Sequence, residues 1–167
     1  MQQIELVTKI AAPVERCFLL SLSIDLHVES TKRTGERAIA GVTRGLIGPG
    51  ESVTWRGRHF GVMLTQTTRI TAYERPTYFQ DSMTRGAFRS FVHDHFFEEN
   101  GNEGTIMRDT LRFEAPLRPI GFLAEKLVLR GYLERFLRER NEVIRRVAQS
   151  TNDWRRYIDT DKGDAAP

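Results

Sequence analysis

The 167-residue chain has room for one domain with a single sizeable core and not for two. Its 40% hydrophobic and 28% charged residues are those of a soluble globular protein, and no window approaches the roughly 20 continuous apolar residues of a membrane-spanning helix. A net charge of only +3 and a single cysteine, Cys17, argue against a nucleic-acid-binding stripe, a disulfide framework and a cysteine-rich metal cluster.

Residues 2–10, QQIELVTKI, alternate polar and apolar side chains, the period of a half-buried strand. The N-terminus has no apolar signal-peptide centre, so a cytoplasmic location is expected. Pro13 suits the first position of a helix, where its missing N–H would have no partner, and Val14, Cys17 and Phe18 give that helix an apolar face. Cys17 reads as a small buried hydrophobe rather than a reactive thiol. Ser23 can cap a second short helix, IDLHVES.

From Glu36 to Phe113 the pattern changes to about six strands: ERAIAGV, ESVTWRGRHF, VMLTQTTRITAY, TYFQDSM, AFRSFVHDHFFEE and TIMRDTLRFEA. Their short connections predict an antiparallel meander. GLIGPG lacks the lysine and following helix of a phosphate loop and reads as a hairpin turn. Pro116 and Pro119 end the sheet, and a long helix is predicted over 120–148 with an apolar stripe of Leu123, Leu127, Leu133, Phe136, Leu137, Ile144 and Val147. Gly131 inside it implies close packing or room for a ligand, because a mid-helix glycine costs up to about 1 kcal/mol relative to alanine. Glu134 with Arg138 and Glu142 with Arg146 mark a solvated, salt-bridged face. The predicted domain is 1–148. Residues 149–167 read as a polar, flexible tail, with Trp154 as its docking residue.

Strand, two short helices, six antiparallel strands and a long C-terminal helix is the helix-grip order, an α+β architecture. On IAAPVERCFLLSLSIDLH, ITAYERPTYFQDSM and FVHDHFFEENGNEGTIMRDTLRFEAP, the chain resembles the START-like (SRPBCC) superfamily, which includes birch-pollen-allergen-like proteins, lipid-transfer domains and polyketide cyclases. The resemblance implies a curved antiparallel sheet of about seven strands around the long C-terminal helix. It also implies a cavity between them for a lipid, quinone or polyketide-like molecule. Relatives that carry an iron-sulfur domain are excluded as a model, since one cysteine cannot ligate that cluster.

Strand alternation sorts the histidines. In TIMRDTLRF, Met107, Asp109, Leu111 and Phe113 share the core side. A hairpin closed by NGNEG then turns His93 and His95 inward, with Asp109 opposite or diagonal to one of them, and sends Asp94 out to solvent. Val53, Trp55, Gly57 and His59 form the inner face of one strand, Leu64, Gln66, Thr68 and Ile70 of the next, and Phe79, Asp81 and Met83 of a third. Arg56, Arg58 and Arg69 face water.

The expected ligand-binding set is therefore His27, Trp55, His59, Gln66, Phe79, Asp81, His93, His95, Met107 and Asp109, with Leu127 and Gly131 from the long helix. Two readings stay open. One is binding of a small hydrophobic or amphipathic molecule; the other is a cofactor-free cyclase or dehydratase in which His93, His95 and Asp109 act as general acid and base. A third arrangement, a hydrogen-bonded core pair of His93 and Asp109 with the other histidines near water, needs no function at all. No metal or other cofactor is expected, because His93 and His95 with His59 or Asp109 match no sequence-local ligand motif. The partners expected are a small hydrophobic molecule and, as an open option, a second copy of the chain. Nucleic acid is not expected.

Overall fold

The structure, a computed structural model, describes residues 1–101, 104–115 and 122–158, and the side chains of 122–127 lie outside the described set. Pro116, Pro119, Leu123 and Leu127 therefore fall outside what can be compared.

Seven strands form one antiparallel sheet in the order β1-β7-β6-β5-β4-β3-β2. They are β1 (Gln2–Ile10), β2 (Arg37–Gly41), β3 (Ser52–His59), β4 (Val62–Glu74), β5 (Tyr78–Arg85), β6 (Ser90–Glu99) and β7 (Thr105–Glu114). Two short helices, α1 (Val14–Leu22) and α2 (Ile24–Ser30), follow β1, and the long α3 (Phe122–Ala148) follows β7. This is the helix-grip architecture expected from the sequence. Pro13 sits one residue earlier than expected, as the residue preceding α1, and Ser23 caps α2 by accepting from Leu26 N at 3.3 Å.

β7 alternates without a break: Thr105, Met107, Asp109, Leu111 and Phe113 are buried and their neighbours are half-buried. Because its partners on both sides are antiparallel and in register, that alternation fixes the inner face of β1 and β6 as well. β4 and β5 shift register between Thr67 and Thr68 and between Ile70 and Ala72. Gln66, Thr68 and Ile70 keep the inner face of β4, and beyond the second shift Tyr73 takes that face opposite Phe79. On the apolar side, Phe18 of α1 meets Tyr73, Phe79 and Phe97 edge-on, with ring centroids 5.4–5.7 Å apart. Cys17 is fully buried beside it, and burial raises its thiol pKa, as suits an inert core residue.

GLIGPG is not a tight hairpin turn. It belongs to a ten-residue connection that folds back on the α1–α2 junction, where Ile47 N donates to Leu22 O at 3.1 Å and Ile24 N to Gly45 O at 2.9 Å. Gly131 also departs from expectation. It is exposed, and among the described residues a Cβ added there would meet nothing within 4 Å, so neither close packing on them nor ligand room accounts for it. The stretch expected to be tail from residue 149 is docked as far as Ile158: Gln149 accepts from Ala11 N at 3.1 Å, Arg16 lies over the Trp154 ring, and Tyr157 of α4 (Arg155–Ile158) is buried in the core. The remainder, 159–167, lies outside the described residues.

Gly131→Ala should raise stability by about 0.5–1 kcal/mol, because it adds helix propensity where space is open. Tyr157→Ala should lower it by about 2–4 kcal/mol. Urea midpoints measure both, and an unchanged midpoint for Tyr157→Ala would show that α4 adds nothing to the fold.

Candidate functional site

A cavity of about 310 Å³ lies between the inner face of the sheet and α3, within the range of small-molecule sites. Its walls are mainly apolar: Val53, Trp55, Leu64, Ile70, Phe79, Leu111, Leu133, Phe136 and Leu137. The polar side chains on it gather in two clusters on either side of β4, with Gln66 and Thr68 of that strand between them.

The first cluster is built by β5, β6 and β7. His95 pairs directly across from Asp109 and His93 from Asp81, so the two imidazoles sit between two carboxylates. His93 Nε2 and His95 Nδ1 lie 3.0 and 2.8 Å from Asp109 Oδ1, while His95 Nε2 is 3.1 Å and His93 Nδ1 3.9 Å from Asp81 Oδ2. The Asp109 contacts are close but off the N–H directions; His93 Nε2, His95 Nδ1 and Asp109 Oδ1 have no aligned hydrogen-bond partner among the described residues. From α3, Asn141 Nδ2 donates to the other Asp109 oxygen at 2.7 Å, and Arg140 Nη1 stands 3.8 Å from Oδ1.

The electrostatics follow from that placement. Burial opposes charge on Asp109, yet the adjacent His93 and His95 outweigh it and hold the carboxyl well below its usual range. Burial also opposes charge on Asp81, and His95 and His93 again hold it down. The imidazoles move apart. Burial and the neighbouring His95 push His93 down, whereas for His95 the contacts to Asp109 and Asp81 exceed the cost of burial and raise it. The cluster thus favours one proton on His95 over a proton on each ring.

The second cluster lies at β3. Glu36, just before β2, accepts from His27 Nε2 at 2.7 Å and stands 2.9 Å from His59 Nε2, and His59 Nδ1 meets the Tyr132 hydroxyl of α3 at 2.7 Å. His27 stacks on Trp55 with centroids 4.0 Å apart. The β3–β4 hairpin turns through Phe60 and Gly61, both at positive φ, and places the Phe60 ring 4.4 Å from that of Tyr132. Burial would raise the Glu36 pKa, but the two imidazoles dominate and lower it to about 2.

Of the residues expected from the sequence, His27, Trp55, His59, Gln66, Phe79, Asp81, His93 and His95 line the cavity. Met107 and Asp109 do not. Met107 is packed in the core, with Ser21 Oγ 3.7 Å from its sulfur, and Asp109 is hidden behind the two histidines. Gly131 is exposed on α3, and the side chain of Leu127 lies outside the described residues. Asp94 leaves the histidines for the opposite face, but not for solvent: it is buried there, accepting from Tyr78, Gln80 and Arg112 at 2.6–2.8 Å.

Sequence reasoning passed over Glu36, Tyr132, Arg140 and Asn141. Arg140 and Asn141 were detectable, since they occupy the i+3 and i+4 positions from Leu137 where the apolar stripe should continue. Gly57 pointed to Glu36. A Cβ on that strand glycine would lie 2.5 Å from Glu36 Cγ, so the carboxylate fills the place of the missing side chain.

No family model matches the sequence, and neither does any curated protein. Solved structures do share the fold. The protein TTHA0849 from Thermus thermophilus superposes with a TM-score of 0.69 at 19% identity over 89% of this chain and 100% of its own. A START superfamily protein from Mycobacterium smegmatis gives 0.61 at 14% identity over 84% and 97%, and the Zhui aromatase/cyclase from Streptomyces sp. R1128 gives 0.63 at 15% over 90% and 98%. At these identities the likeness shows a START-like fold.

Glu36→Gln should destabilise the protein by roughly 2–3 kcal/mol near neutral pH. A carboxyl lowered from 4.5 to about 2 stabilises the fold fully above pH 4.5 and loses that contribution as pH falls toward 2. The gap between wild type and variant in urea unfolding should therefore close on acidification over that interval. A gap that stays constant from pH 6 to 3 would show that the Glu36 charge contributes nothing.

Proposed function

We propose that this START-like chain binds a small hydrophobic or amphipathic molecule, of the size of a lipid chain, quinone or polyketide fragment, between its sheet and α3. The observation that carries this reading is the cavity itself: about 310 Å³ of apolar wall, interrupted by two clusters of buried polar groups. An apolar body would take the space along Ile70, Leu111, Leu133 and Leu137, and its polar end would meet His93 and His95 or His59 and Tyr132. Among the described residues no helix is long and apolar enough to cross a membrane.

A second reading draws on one feature of the first cluster. His95 lies between two carboxylates and also faces the cavity, which is the placement of an oriented acid/base group. On this reading the chain is a cyclase or dehydratase that moves a proton next to a ligand carbonyl. Asp109, out of reach of the cavity, is then a positioning residue.

Native mass spectrometry of gently purified protein, with a screen of labelled fatty acids and quinones, tests binding. The expected result is one retained molecule per chain, lost in Thr68→Trp, which fills the cavity from β4 while circular dichroism stays unchanged. No retention by wild type would remove the binding reading. The two readings separate in His93→Gln and His95→Gln: retained binding with lost turnover of a polyketide-like substrate favours chemistry, and joint loss favours positioning of the ligand.

A further inference from the structure

We propose that Asp81, His93 and His95 form a site for one divalent transition-metal ion on the cavity wall, with Asp109 behind them as the shared hydrogen-bond acceptor of both imidazoles. Each ring has one nitrogen beside Asp109 Oδ1, at 3.0 and 2.8 Å, and the other beside Asp81 Oδ2, at 3.9 and 3.1 Å. A neutral imidazole carries one N–H and one lone pair. Rings that give their N–H to Asp109 turn their lone pairs toward a carboxylate oxygen that also holds lone pairs. His95 Nε2 and Asp81 Oδ2 share a hydrogen bond at 3.1 Å, so a cation would bind by displacing that proton, after which three lone-pair donors surround it. The donors lie within 4.8 Å of one another. The spacings of 3.1 and 3.9 Å bracket the roughly 3.3 Å edge of a tetrahedron with bonds of about 2.0–2.1 Å.

The unaligned atoms agree: among the described residues His93 Nε2, His95 Nδ1 and Asp109 Oδ1 are buried and close but not in hydrogen-bond alignment. A small ring rotation that seats an ion would also bring each N–H onto Asp109, the carboxylate–histidine–metal relay that tunes such sites. Asn141 already fixes the acceptor by holding its second oxygen. Two imidazoles and one carboxylate form the donor set of catalytic zinc and mononuclear iron(II) sites, which leave positions open. Asp81, His93 and His95 all line the cavity, so those positions face it. A carbonyl, enolate or carboxylate oxygen of a cavity molecule would fill one of them, a role that rests on the ligand-binding reading; the ion itself does not.

The test is titration of the chelator-stripped full chain with Co(II), followed by visible absorption, and with Zn(II) by calorimetry. One equivalent is expected, with the absorption of a four- or five-coordinate Co(II) ion. Asp81→Asn and His95→Gln should each weaken binding about 100-fold or more, and Asp109→Asn about 10–100-fold. Asp81→Cys should add a thiolate-to-Co(II) charge-transfer band, a direct mark of ligation that survives if another variant misfolds. No stoichiometric binding by wild type, or binding unchanged in Asp81→Asn and His95→Gln, overturns the site. Binding lost in His59→Gln but kept in Asp81→Asn also overturns it, because the ion would then sit at the β3 cluster. Retention of a quinone or fatty acid without metal binding sinks this site and leaves the ligand reading standing; metal binding without retention does the reverse.

Discussion

A carboxylate with no solvent exposure, Asp109, sits in the middle of β7, and much of the surrounding arrangement follows from what a buried charge requires. Taking an ion of this kind out of water costs several kcal/mol unless opposite charge and hydrogen bonds surround it. The sheet supplies two imidazoles from the neighbouring strand, at positions that alternation and register bring to the same face. The helix supplies the rest. Asn141 and Arg140 interrupt the apolar side of α3 at the turn that crosses Asp109, which ties the long helix to one rotation about its axis and one position along the sheet.

That tie explains why a space is left beside it. Leu133 and Leu137 pack with Ile4, Leu6, Leu111 and Phe113 at the β1–β7 side, while Tyr132 and Phe136 of the same helix turns reach toward His59 on β3. Between these contacts lies the cavity, with Gln66, Thr68 and Ile70 of β4 on one wall and Leu133, Phe136 and Leu137 of α3 on the other. The sheet order places β4 between the two polar clusters, so the groups that pin the helix also frame the cavity.

The fold and the inner face were legible because antiparallel strands obey a period of two, and one unambiguous strand, β7, sets the face of its neighbours. Alternation named Trp55, His59, Gln66, Asp81, His93 and His95 without any knowledge of tertiary contacts. It gives the side of the sheet, however, and not the depth. Asp94 is on the outer face as expected but is buried by Tyr78 and Arg112, because long outer side chains can close over a shorter one. Depth also separates Asp109 from the cavity, since His93 and His95 stand in front of it. Glu36 opened the expected strand ERAIAGV but precedes β2 in the structure, where alternation does not direct it, and Gly131 carried a conformational cost for which the packing of the described residues offers no return. Only contacts between distant segments, such as Tyr132 with His59, complete the site, and those have no local signature.

Both polar clusters share one design: each group presented to the cavity is held by a group set farther from it or fixed by another element. His93 and His95 are backed by Asp109, which is backed by Asn141; His59 is held by Glu36 on one nitrogen and Tyr132 on the other. A purely structural role would be met more cheaply by apolar side chains, because a buried charge network of similar volume is often no more stable than a hydrophobic core. What such backing does provide is fixed orientation of the exposed nitrogen atoms before anything enters. A ligand or ion arriving at a wall already ordered loses less entropy than one that must organise flexible side chains, and its binding gains by that difference. On the ligand-binding reading proposed above, the hidden residues, Asp109 above all, act through the side chains they orient although they do not touch the cavity.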